Sequence, residues 1–131
     1  VASAGASICI MHNRRGSKTK DMWLDKESGL IKATSKALSL GIDENKIIVD
    51  GGIGFNLSAS EDKELLDKYD NLSIVGFPLL LGASRKSFLG GEPSTRLTAT
   101  LDTTHLAIKK EILFVRVHDV KENMQVIKAY E

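Results

Sequence analysis

Four short apolar runs punctuate the chain, and the apolar residues between them fall at helical spacing. The runs are residues 7–11 (SICIM), 46–50 (KIIVD), 74–82 (IVGFPLLLG) and 113–117 (LFVRV). Each is continuous and mostly aliphatic or β-branched rather than alternating, the pattern of strands covered on both faces. Over residues 22–40, Leu30, Thr34 and Leu38 share one helical stripe and Ala33, Ala37 and Leu40 another, with Gly41 where a C-terminal cap belongs. Ser58 followed by Glu61 is a capping-box pair that opens a short helix carrying Leu65, Leu66 and Tyr69. Leu97, Leu101, Thr104, His105 and Ile108 repeat at helical spacing, and residues 121–130 close the chain with Met124 and Ile127 on one side. The pattern therefore predicts a βα unit repeated four times in one domain. Such alternation means a parallel sheet with right-handed crossovers.

Polar and glycine-rich residues follow each strand at once. The first cluster is Met11-His12-Asn13-Arg14 and the second Asp50-Gly51-Gly52-Ile53-Gly54-Phe55. The third is Gly82-Ala83-Ser84-Arg85-Lys86-Ser87 and the fourth Arg116-Val117-His118-Asp119. In parallel α/β sheets the βα loops gather at the carboxyl ends of the strands, so four clusters at equivalent positions converge on one site. Arg116 and His118, at i and i+2, project from one side of a strand and offer donors suited to a phosphate or pyrophosphate. The competing reading pairs Arg116 with a carboxylate and leaves His118 as a satisfied core histidine. Arg85 and Lys86 put two cations beside a hydrophobic run and need anionic or carbonyl partners, unless they form a solvated basic turn. Asp50 could accept paired hydrogen bonds from an amidine-like heterocycle edge, or simply cap its loop. The glycines after it match neither a dinucleotide fingerprint nor a phosphate loop.

Composition narrows the field. Eighteen Lys+Arg against seventeen Asp+Glu leave a formal charge of +1, without the clustered excess a nucleic-acid or polybasic membrane surface shows. One cysteine, Cys9, excludes an internal disulfide framework, and three histidines at scattered spacing give no zinc signature. Residues 1–11 are too short for a membrane helix and lack a basic start, so the chain is expected to be cytoplasmic and to begin internally. Its 131 residues fill one compact domain, whereas a closed (β/α)8 barrel takes about 250.

With these clusters in hand, the sequence resembles the dihydropteroate synthases, pterin-binding (β/α)8-barrel enzymes of folate biosynthesis that sulfonamides inhibit. The matching stretches are IMHNR at residues 10–14, DGGIGF at 50–55, GFPLLLGASRKSFLG at 76–90 and VRVHDVKEN at 115–123. The resemblance implies that residues 1–131 are the C-terminal half of such a barrel, strands five to eight with their helices. It also implies condensation of 6-hydroxymethyl-7,8-dihydropterin pyrophosphate with p-aminobenzoate, expelling pyrophosphate. By position, Asp50 looks like the acidic anchor of the pterin ring, with Lys86 as its partner and Met11, Phe55, Leu80 and Gly82 as pocket wall. Arg116 and His118 resemble the pyrophosphate-holding pair and, with Lys86, the catalytic set. Ser87, Arg85 and Phe55 fall on the p-aminobenzoate side. The resemblance further implies Mg²⁺, held by an Asn upstream of this chain, and a homodimer in the full-length enzyme. Two departures stand out. Gly51 replaces the family's usual proline, which is expected to loosen the turn behind Asp50, and the loop at 90–97 is shorter than usual.

Three other readings remain open on the sequence. One is a non-catalytic half-barrel that binds a pterin or phosphate without reacting it. Another is a methyltetrahydrofolate-type methyltransferase, against which the SRKSF and Arg-Val-His segments argue. The third is a structural remnant. On its own the chain is expected to turn over little or no substrate.

Overall fold

The computed structural model describes residues 1–15 and 19–131. Four βα units follow one another: β1 (Ile8–Met11), α1 (Met22–Ser39), β2 (Ile47–Asp50), α2 (Ala59–Asp67), β3 (Leu79–Leu81), α3 (Leu97–Lys109), β4 (Phe114–Val115) and α4 (Val120–Lys128). The strands form one parallel sheet in the order β1-β2-β3-β4. This is the expected α/β class: four consecutive parallel βα units, as in half of a (β/α)8 barrel. No helix among the described residues is long and apolar enough to cross a membrane.

The helices start where their caps dictate. Asp21 accepts the Trp23 and Leu24 amides at the head of α1, and Ser58 with Glu61 completes both halves of a capping box at α2. Helix α1 buries Met22, Lys26, Leu30, Thr34 and Ala37. Leu38 and Leu40, expected inside, are 43% and 65% exposed. The buried stripe thus contains a lysine where the pattern offered leucines. In α3 the buried face is Thr100, Thr103, Thr104 and Ala107 rather than the leucines. The threonine hydroxyls are satisfied locally: Thr103 donates to the Thr100 carbonyl at 2.7 Å, and Thr104 to Asn123 of α4 at 2.5 Å.

The third apolar run is strand only at Leu79–Leu81. Residues Tyr69–Val75 wind into a 3-10 helix that Gly76 ends in the left-handed region, φ 89°. Pro78, which has no amide hydrogen, contributes only its carbonyl, which accepts from the Val49 amide at 2.9 Å. Strand β4 is likewise shorter than the run that announced it.

One face of the sheet packs on the helices, with Ile47, Val49, Leu79 and Leu81 against Leu30, Leu65, Leu72 and Ala107. The register puts Met11 beside Asp50, Asp50 beside Leu80 and Leu80 beside Phe114, so these four residues share the other face. Among the described residues this face is only partly covered: Asp50 is buried, but Met11 is 36% and Phe114 41% exposed. The expectation of strands buried on both faces is corrected accordingly. The four strands form an open sheet with β1 and β4 at its edges.

Candidate functional site at the carboxyl ends of the strands

Asp50 is the last residue of β2 and is almost fully buried. Its Oδ1 accepts the Gly52 amide at 2.7 Å, an Asx turn that fixes the carboxylate at the mouth of the sheet. Gly52 adopts φ +72°, and a β-carbon there would collide with the His12 carbonyl, so only glycine lets the β1 and β2 loops pass this closely. The other carboxylate oxygen, Oδ2, lies 3.7 Å from the point where a β-carbon on Gly82 would stand, and Arg116 Nε and Nη2 lie 3.4 Å from that point. The absent side chain of Gly82 thus leaves open the space between the acid of β2 and the guanidinium beyond β4.

Arg116 extends the β3–β4 ladder by donating its amide to the Leu81 carbonyl at 2.9 Å. His118, two residues on, is held by Ser84. The His118 amide donates to Ser84 Oγ at 3.1 Å, and Oγ lies 3.0 Å from the ring Nδ1. Oγ can both accept the amide hydrogen and donate its own to Nδ1, and in that tautomer Nε2–H is the donor His118 offers to a ligand. Arg116 and His118 are both exposed.

Lys86 bridges the second and third clusters. Its Nζ sits 4.5 Å from the centroid of the Phe55 ring, a cation–π contact, and its stem lies over Gly54. Ser87 starts the 3-10 turn Ser87–Leu89 with its side chain exposed. Arg85 takes a left-handed backbone, φ 56°, and its guanidinium grips Asp119 through Nε–Oδ2 at 3.1 Å and Nη2–Oδ1 at 2.5 Å. That pair holds the Asp119 carboxyl below the usual carboxylate range. Beside it lies a cavity of about 290 Å³ lined by Arg85, Ser94, Leu97 and Asp119.

The first cluster serves mainly as scaffold. Arg14 is buried and bonds Asp25 at 2.7 Å, the Thr19 carbonyl at 2.7 Å and Glu61, tying the β1 loop to α1 and α2. His12 packs its ring over Gly29, and burial lowers its pKa. Lys26, fully buried, donates from Nζ to the His12 carbonyl at 3.3 Å. Burial lowers its pKa to about 8, against the opposing pull of Asp50 and Asp62. Asp62 of α2 accepts the Gly54 amide at 2.6 Å, and burial raises its own pKa.

The structure thus brings Met11, Asp50, Leu80, Gly82, Arg116 and His118 to one end of the sheet, with Lys86 and Phe55 joined above it. Four residues support the site in roles the sequence did not suggest: Lys26 and Asp62, which went unnoticed, Ser84, named only as a member of the third cluster, and Tyr69, named only as a helix residue. A signal existed for two of them, since Lys26 interrupts the i, i+4 stripe Met22-Lys26-Leu30, and Asp62 sits one turn into a capped helix facing the glycine loop. Among the described residues no group of three or more His, Cys, Asp or Glu side chains gathers as a metal site.

The sequence matches the pterin binding enzyme family over residues 1–118. The chain belongs to that family. It is 35% identical over 132 residues to a dihydropteroate synthase of Clostridium beijerinckii, covering 97% of this chain and 49% of the relative. The Bacillus subtilis dihydropteroate synthase is 36% identical over 134 residues, with 99% and 47% covered. Among solved structures, a Clostridium difficile dihydropteroate synthase determined with pteroic acid superimposes at a TM-score of 0.91 with 36% identity, over 98% of this chain and 51% of that one. A Xanthomonas albilineans dihydropteroate synthase with 4-aminobenzoic acid gives 0.90 at 26% identity, over 98% and 50%. The chain spans about half the length of the curated relatives it matches.

Proposed function

We propose that this pterin-binding chain carries strands five to eight of a dihydropteroate synthase barrel and most of its pterin and pyrophosphate contacts. The observation that carries the reading is the convergence of Asp50, Lys86, Arg116 and His118 at one end of a parallel sheet, in a chain whose relatives are named for this reaction. Asp50, its Oδ1 already engaged by Gly52, offers Oδ2 to the amino and ring N–H edge of a pterin. Lys86, steadied over Phe55, meets the pterin carbonyl side, and Met11, Leu80 and Gly82 line the floor.

Arg116 and His118 hold the pyrophosphate. As its C–O bond to the pterin methylene breaks, charge builds on the departing oxygen, and a guanidinium with the Nε2–H of His118 stabilises it. The amine nitrogen of p-aminobenzoate then bonds to the methylene carbon and releases a proton. An aromatic amine is nucleophilic when neutral, so placing it near the methylene supplies much of the remaining acceleration. Ser87 faces the p-aminobenzoate carboxylate, and Arg85, held by Asp119, frames that side.

Mg²⁺, which the family resemblance implies, finds no ligand cluster among the described residues. The substrates are small molecules rather than nucleic acid or membrane, and we assign the full-length enzyme to a cytoplasmic homodimer. The reading is tested by joining this chain behind the upstream half of a related dihydropteroate synthase and following pyrophosphate release. Release that depends on p-aminobenzoate and disappears in Arg116→Ala supports it. A chimera that folds and is inert, or is indifferent to Arg116, refutes it.

A further inference from the structure

The glycine after Asp50 has a partner that the pattern of clusters gave no reason to expect. Tyr69, from the 3-10 helix after α2, is fully buried, and its phenol oxygen accepts the Gly51 amide at 2.8 Å. The same oxygen lies 2.6 Å from the Leu80 carbonyl and 3.3 Å from Asp50 Oδ1. A phenol has one hydrogen, and the shorter contact takes it, so Tyr69 donates to β3 and accepts from the loop behind β2. One side chain therefore ties together the end of β2, the loop that aims Asp50 and the neighbouring strand.

The geometry also reserves position 51 for glycine. A β-carbon there would stand 2.6 Å from Leu72 Cδ1, 2.9 Å from Tyr69 Cε2 and 3.2 Å from Tyr69 Cζ. A proline would be worse, because its ring carbon replaces the amide hydrogen and points straight at the phenol oxygen. Burial beside Asp50 raises the phenol's pKa well above its ordinary value, so it keeps its hydrogen throughout the neutral range. The loosened turn expected from losing the family's proline is thus not what the structure shows.

We infer that Tyr69 is a positioning residue for pterin binding: by holding the Gly51 amide it fixes the Asp50 turn through a hydrogen bond, where a proline would fix it through its ring. The inference rests on reading Asp50 as the pterin anchor. It makes Gly51 and Tyr69 an interdependent pair.

The test uses the 131-residue chain and three variants, Tyr69→Phe, Gly51→Pro and the double Gly51→Pro/Tyr69→Leu. Each is titrated with 6-hydroxymethylpterin and, as a control for the Arg116–His118 side, with inorganic pyrophosphate. Hydrogen exchange at the Gly51 and Gly52 amides is read by NMR. Tyr69→Phe is expected to weaken pterin about tenfold, the scale of one lost buried hydrogen bond, to speed exchange at Gly51 and to leave pyrophosphate affinity unchanged. Gly51→Pro alone abolishes pterin binding, and the double variant recovers it. Wild-type pterin affinity with a still protected Gly51 in Tyr69→Phe overturns the inference. So does a double variant that folds or binds no better than Gly51→Pro. A wild-type chain that ignores pterin sinks the functional reading, and the exchange data then decide the lock alone: unaltered protection at Gly51 and Gly52 in Tyr69→Phe overturns it.

Discussion

Lys26 is a charged side chain in the middle of an apolar stripe, and its ammonium meets the β1 loop at the His12 carbonyl. Its folded-state pKa of about 8 lies well below the ordinary lysine value of 10.5, because burial disfavours the charge. From pH 8 upward the unfolded chain therefore binds more protons than the folded one, and stability rises with pH. Cys9 and Tyr69, both shifted upward by burial, titrate first in the unfolded chain and oppose part of this gain, Cys9 already between pH 8 and 9 and Tyr69 at higher pH. Between pH 8 and 9 Lys26 should contribute about 1 kcal/mol of unfolding free energy, and Lys26→Met should lose that contribution. Urea denaturation at the two pH values measures it. Residues of this kind explain what the sequence hid. Asp50, Arg116 and His118 could be read from their places at strand ends. For Lys26 and Tyr69 the spacing predicts at most burial of the stem, and only tertiary packing decides which polar atom the tip meets.

Elements were legible where local chemistry decides them and less so where neighbours do. The capping box at Ser58 and Glu61 is local, and it formed as expected. Ser58→Ala should cost about 1 kcal/mol of stability, read by thermal unfolding, and leave pterin affinity alone. The third apolar run was longer in the sequence than in the sheet because Gly76 and Pro78 interrupt it before Leu79. Helix α3 turned its threonines inward because their hydroxyls bond backbone carbonyls or Asn123, which leaves no buried polar group stranded. At the end of β3, Ser84 links two clusters that the sequence presented as separate. Ser84→Ala removes the acceptor for the His118 amide and the partner of its Nδ1. Pyrophosphate affinity should fall by roughly 1 kcal/mol, seen by calorimetry, with pterin binding unaffected. Equal loss of both would mean that the serine holds the sheet rather than the histidine.

At the scale of the molecule, four βα units build a parallel sheet with one face packed on the helices and the other presenting Met11, Leu80 and Phe114 beside the site residues. The fold class followed directly from the alternation of runs and helical segments. The open face followed from the half-barrel resemblance and not from the strands themselves, because a continuous apolar strand reads the same whether its second cover is another layer or the far side of a barrel. A pterin gripped from this side alone meets Asp50, Lys86 and the pocket floor while its opposite edge faces solvent, so binding should be weak but residue-specific. The central claim is that Asp50 anchors a pterin. Titration of the 131-residue chain with 6-hydroxymethylpterin, followed by pterin fluorescence, tests it most directly against Asp50→Asn. Saturable binding in the wild type that is lost in Asp50→Asn is the predicted result; no saturable binding, or equal affinity in both proteins, would contradict the account.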